Sequence, residues 1–234
     1  LPNPLDGENV SALAKIKYFI NETSDLTLTL DFQEMDADYK LLTDLGFNGR
    51  AMETISASTG KDTTTRERFS LSYNFNEETA AYDSGSIKIF SQDTDQKQIT
   101  SRTKSAFLAG MEMPPTPMTD YRDYNFNQSL IGYSLDLIKV VDTNFGEHSI
   151  AYGGDYEVAE YSRPKNRFTT NLVTRDVSYT FSGPEVFPNK AFPDSEVTRT
   201  AVYFNDRIKL SERMTFVVGA RYDRYDQKAF PDEM

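Results

Sequence analysis

Residues 26–33 read Leu26-Thr27-Leu28-Thr29-Leu30-Asp31-Phe32-Gln33, with an apolar side chain at every second place. Successive side chains of an extended strand point to opposite faces, so this stretch has one oily face and one wet face. The rhythm recurs on both sides of it. Ala12, Ala14, Ile16, Tyr18 and Ile20 face away from Ser11, Lys15 and Lys17. Phe69, Leu71, Tyr73 and Phe75 oppose Arg68, Ser70, Ser72 and Asn74. Ile150, Tyr152, Tyr156 and Val158 oppose Ser149, Asp155 and Glu157, and Met214, Phe216, Val218, Ala220 and Tyr222 oppose Arg213, Thr215, Arg221 and Asp223. Three further segments are less regular. The one around Ile87 and Ile89 is short of apolar residues. The one from Ile131 to Leu137 carries Leu130 and Ile138 on its other side. In Val202 to Leu210, Asp206 interrupts the apolar face. The dominant period is therefore two, and eight strands are predicted over 9–20, 25–37, 65–76, 84–97, 124–140, 148–160, 197–210 and 213–227.

The connections alternate in length. Asn21-Glu22-Thr23-Ser24, Asn76 to Asp83, Asp142 to Glu147 and Ser211-Glu212 are short, polar and suited to turns. The intervening links, 38–64, 98–123 and 161–196, are far longer than the structureless loops of ordinary soluble domains. Within the first, Asp38 to Gly46 suits a short helical turn. Short and long in strict alternation is the rhythm of an up-and-down transmembrane β-barrel, with small periplasmic turns and large outer loops. Tyr18, Phe32, Tyr73, Phe75, Tyr203, Tyr222 and Tyr225 fall near strand ends, where interfacial girdles lie, although β-propensity alone also favours aromatics there.

Composition narrows the function classes. Lys and Arg number 25 and Asp and Glu 36, for a net charge of −11. That balance repels nucleic acid, whose binding rests on cations neutralising phosphates, and disfavours docking on anionic lipid. The chain has no cysteine, which excludes disulfides, thiolate zinc sites and a cysteine nucleophile. No run approaches the roughly 18 apolar residues of a membrane helix. Mean hydropathy is negative, as a barrel allows because only alternate residues meet lipid. Leu1 to Asp6 show no basic region followed by an apolar one, so no signal peptide is visible.

Few residues suggest chemistry. Asp93-Thr94-Asp95 puts two carboxylates on one strand face and, with Asp83, raises a calcium site; a hydrated edge is the plainer reading. Gly153-Gly154 lacks the context of a phosphate loop and points to a bulge or a close approach. Lys15, Lys17, Asp31, Arg68, Lys88, Asp155, Glu157, Arg221 and Asp223 share the wet faces, which line the lumen of a barrel or meet solvent in a sandwich. The long links hold Tyr121, Arg122, Tyr124, Phe168, Phe187 and Phe192, candidate ligand contacts because binding residues gather on loops held by a rigid scaffold.

Three stretches carry a resemblance: Asn3 to Tyr18 (NPLDGENVSALAKIKY), Gly146 to Pro164 (GEHSIAYGGDYEVAEYSRP), and Phe192-Pro193-Asp194 followed by Thr198 to Tyr225 (TRTAVYFNDRIKLSERMTFVVGARYDRY). Together they resemble the barrel of TonB-dependent outer-membrane receptors, in particular the haem/haemoglobin/transferrin/lactoferrin receptor branch. The resemblance implies a barrel of about 22 strands around an N-terminal plug, in the outer membrane of a Gram-negative bacterium. It implies lipid, the plug, the remaining strands and the inner-membrane TonB energy-coupling complex as partners, with a host haem protein as a further candidate. Its ligand would be haem or another iron source, carried rather than covalently held. No plug, energy-coupling box or terminal aromatic assembly signal is read in 1–234, so the chain is expected to be an internal barrel segment.

In that setting the single histidine, His148, has two readings: a haem or metal ligand, or a polar residue beside a short periplasmic turn. Its position favours the second. No Ser and Asp are evidently placed with it, so catalysis is not expected. The competing readings are a self-contained small barrel serving as adhesin or anchor, and a soluble β-sandwich binding module, which would bury the oily stripes against one another.

Overall fold

The computed structural model describes residues 3–49, 52–106, 115–181 and 185–231. Its strands are β1 (Leu5–Phe19), β2 (Ser24–Lys40), β3 (Gly46–Asn48), β4 (Glu53–Phe75), β5 (Ser84–Ala106), β6 (Thr116–Thr143), β7 (Gly146–Ser162), β8 (Pro164–Asn171), β9 (Val177–Ser178), β10 (Asn189–Lys190), β11 (Asp194–Ser211) and β12 (Met214–Phe230). All belong to one antiparallel sheet whose main path runs β1-β2-β4-β5-β6-β7-β11-β12. Each of the eight strands read from alternation is present. The helical turn expected within 38–46 is a 3₁₀ turn at Leu42–Asp44.

The long links are corrected. Strand β4 starts at Glu53 rather than at 65, β5 runs to Ala106 rather than 97, and β6 starts at Thr116 rather than 124. The β4–β5 ladder is unbroken from Phe75↔Gly85 to Glu53↔Ala106 apart from one shift between Ile55 and Ala57. Backbone N–H and C=O groups pair whatever the side chains are, so the ladder continues where alternation fades. The link 161–196 also holds structure: β8 pairs with the upper part of β6 and carries β9 and β10 beside it.

Register places the oily residues in rows across all eight long strands. One row reads Tyr18, Leu26, Tyr73, Ile87, Leu135, Gly154, Val202, Tyr222. The adjacent row on the other face reads Lys17, Thr27, Ser72, Lys88, Ser134, Asp155, Ala201, Asp223. The oily face lies open: Ile131 is 65% exposed and Val202 56%. Among the described residues the buried apolar side chains are Ile55, Ala159, Phe187 and Ala201, and none belongs to these oily rows. Among the described residues no second sheet packs on this one, so the oily stripes are not buried against one another as the sandwich reading requires. A sheet that leaves such a stripe uncovered is compatible with hydrocarbon as its solvent. Nor does the sheet close on itself as the small-barrel reading requires: among the described residues β1 pairs only with β2 and β12 only with β11.

Two expected girdle residues are displaced. Tyr203 and Tyr225 fall on the polar face by register, whereas Tyr18, Phe32, Tyr73, Phe75 and Tyr222 keep the oily one. The Tyr203 hydroxyl reaches across β7 to donate to Asp136. It passes over Gly153, where a Cβ would lie 2.8 Å from the Tyr203 oxygen and 2.0 Å from the Leu135 carbonyl oxygen. The glycine marks a close approach, as its sequence context suggested.

Candidate functional site: the outer polar wall

Barrel architecture puts the short turns at the periplasmic end. Strand β6 has 28 residues, so it runs roughly 70 Å along the membrane normal at the usual tilt, against an apolar band of about 25 Å. In a membrane-spanning barrel the upper parts of β4, β5 and β6 extend beyond the apolar band, with β8 alongside. Above the band the two faces differ. Glu67, Asp93, Asp95, Glu160 and Glu196 continue the lipid-side face as carboxylates. A recess of about 510 Å³ on that side is centred on Asp93, Asp95, Glu160 and Glu196 and looks away from the lumen.

The polar face carries an ionic cluster at its top. Asp120, on β6, is 1% exposed. It accepts from Arg167 Nε at 2.9 Å and Nη2 at 2.7 Å, and from Arg122 Nη2 at 3.0 Å. Lys104 Nζ is 3.8 Å from the same carboxylate and 2.8 Å from Glu53. The two-pronged Arg167 contact joins β8 to β6 with fixed geometry. Burial pushes the Asp120 carboxyl upward, but the Arg167 and Arg122 guanidiniums outweigh it and hold it below its ordinary range. The same contact raises Arg167. Neighbouring cations are also engaged: Arg102 lies 2.6 Å from Asp44, and Lys165 lies 2.7 Å from Glu185.

Four of the candidate contacts separate into two groups by alternation. Arg122 and Tyr124 lie on the polar face; Arg122 binds Asp120, and the Lys165 ammonium sits 5.7 Å from the Tyr124 ring centroid. Tyr121 and Phe168 lie on the opposite face, stacked with centroids 4.9 Å apart, and the Tyr179 ring packs at a tilt 5.8 Å from Phe168. Phe187 is buried, edge-on to Phe181 at 5.5 Å. Phe192 is half-buried before β11. The six therefore do not form one site. Sequence reasoning missed Asp120, Lys104, Lys165 and Arg167, which became meaningful only once β6 and β8 were paired.

Below the ionic cluster, the polar face has a cavity of about 260 Å³ lined by Gln96, Gln98, Tyr124, Asn125, Phe126 and Arg163. Gln98 stands opposite Tyr124, and Gln96 opposite Phe126.

The remaining expectations resolve simply. Asp83 binds Lys139 at 2.5 Å at the turn end of β5, far along the strand from Asp93 and Asp95, so the three do not make a calcium site. His148 Nδ1 is 2.8 Å from Asp206 Oδ2. Register puts both on the oily face near the short turns, so the two polar groups satisfy each other there. The acidic partner missing from the sequence reading thus comes from β11. Ser149, next to His148, points to the other face.

A family model described as TonB dependent receptor-like, beta-barrel matches residues 16–232. No curated protein matches the chain.

Proposed function

This chain belongs to the TonB-dependent receptor-like β-barrel family, and from that premise we propose that it is a stretch of barrel wall in a receptor that captures a ligand outside the cell and draws it inward. The family consists of outer-membrane receptors and transporters of Gram-negative bacteria, so the activity is transport rather than catalysis. In the proposed assembly, further strands of the same polypeptide cover the edges of β1 and β12, because lipid cannot satisfy an open sheet edge. A plug fills the lumen, and the inner-membrane TonB complex supplies the energy. The observation that carries this reading is the family match over a sheet whose oily face is uncovered along all eight long strands.

Haem or another iron source, delivered by a host haem protein, is the cargo to which the haem-branch resemblance points. This wall offers iron little: His148 is engaged by Asp206 on the lipid side. Iron ligands would come from elsewhere in the receptor. The test is growth of cells lacking the receptor, and of cells lacking TonB, on a panel of iron and carbon sources. Loss of growth on the same source in both supports the reading; unchanged growth on every source contradicts it. Titration of the full receptor with haemin then decides the haem cargo.

A further inference from the structure

We propose that the polar wall of β5 and β6 above the membrane binds a neutral, hydroxyl-rich oligosaccharide. The proposal rests on the uptake reading above and names, for this wall, a ligand class distinct from the haem to which the resemblance points.

Free groups, not paired ones, decide what a surface can recognise. At the top of the wall the charges are committed to one another: Arg122 and Arg167 to Asp120, Lys104 to Glu53, Arg102 to Asp44, Lys165 to Glu185. Below them the polar face of β5 runs Phe90, Gln92, Thr94, Gln96, Gln98, Thr100 without a charge. The same face of β6 runs Tyr124, Phe126, Gln128, Leu130, Gly132, Ser134, also without a charge. Alongside these runs Asp93, Asp95 and Asp123 lie on the other face, and the polar-face carboxylates of β6 at either end are engaged, Asp120 by its arginines and Asp136 by the Tyr203 hydroxyl. Gln96 and Gln98 are half-buried, and their amides have no protein partner among the described residues. Each such amide offers two donors and an acceptor for a hydrogen bond that folding leaves unmade.

Register sets amide and ring side by side twice, as Gln98 beside Tyr124 and Gln96 beside Phe126. The two amides are about 7 Å apart along the strand. A pyranose has a C–H face that lies on an aromatic ring and an edge of hydroxyls that both donate and accept, which is the chemistry of this checkerboard. Arg163, exposed at the rim, is the cation of the lining, too few for a multiply anionic ligand. An extended peptide would seek a free strand edge, and β5 and β6 are each paired on both sides.

The experiment uses the full receptor, purified and screened against neutral oligosaccharides, anionic oligosaccharides, oligopeptides and haemin. Binding to at least one neutral oligosaccharide is expected, at least tenfold weaker for Gln96→Ala/Gln98→Ala and for Tyr124→Ala. Tyr124→Phe, which keeps the ring, should retain most of the affinity. Binding confined to haemin, peptides or anionic sugars overturns the proposal, as does neutral-sugar binding indifferent to these substitutions. Labelling of Gln96→Cys on intact cells by an impermeant maleimide separates the two levels. Labelling without saccharide binding sinks this proposal alone, whereas no labelling means the wall is not reached from outside and sinks the uptake reading with it.

Discussion

Asp120 shows how a single charge organises the outer rim. It is almost wholly buried between two arginines, and removing one partner of such a set strands the others without compensation, at about 3–5 kcal/mol. Asp120→Ala should therefore release β8 from β6: amide exchange across 164–171 rises while that of 26–32 stays unchanged. Because the folded carboxyl is held below its ordinary value of 3.8, its contribution is present at neutral and mildly acid pH. It is lost as pH falls below 3.8 and through the lowered folded value. Exchange over 164–171, corrected for intrinsic rates, should match at pH 8 and pH 5 and increase at pH 3. Gly153 is a second decisive residue. A methyl there meets the Leu135 carbonyl at 2.0 Å, so Gly153→Ala must part β6 from β7. Reduced heat-modifiable mobility of the full receptor would record the assembly defect, whereas Gly49→Ala, whose nearest contact is 3.6 Å away, should assemble normally.

At the scale of the strand, legibility in the sequence followed the solvent. Where one face meets hydrocarbon, as at Leu26 to Phe32 or Met214 to Tyr222, alternation is sharp and the strand can be read directly. Above the band both faces are wet. Lys61 to Arg66 and Gln92 to Lys97 mix polar residues on either side, so the period-two signal vanishes while the backbone ladder persists. That is why the outer half of β4, β5 and β6 read as loop. The ionic cluster was hidden for the same reason, since Asp120 and Arg167 lie 47 positions apart and only register brings them together. Tyr124 and Arg122 were found by composition; their partners were not. Strand β5 offers a clean test of the two faces. Ile89→Arg puts a charge in mid-band and should cost about 2–4 kcal/mol in urea unfolding of the receptor in vesicles. Lys88→Arg, one residue away on the polar face, should shift stability by no more than about 0.5 kcal/mol.

For the whole molecule, stability depends on which solvent each face meets. Among the described residues the sheet has no second layer, no closure of β1 on β12, and an oily stripe with nothing over it. The family match supplies the context in which those features are stable: a larger barrel in an outer membrane. The most direct measurement is a spin-label accessibility profile, since this stretch contains no native cysteine. Single cysteines at Ile89, Val202, Lys88 and Asp223 of the full receptor in vesicles would be labelled and relaxed with oxygen or with a water-soluble nickel chelate. The account predicts oxygen-dominated relaxation at positions 89 and 202 and nickel-dominated relaxation at 88 and 223. Nickel access at all four, or the opposite assignment of the two faces, would contradict it.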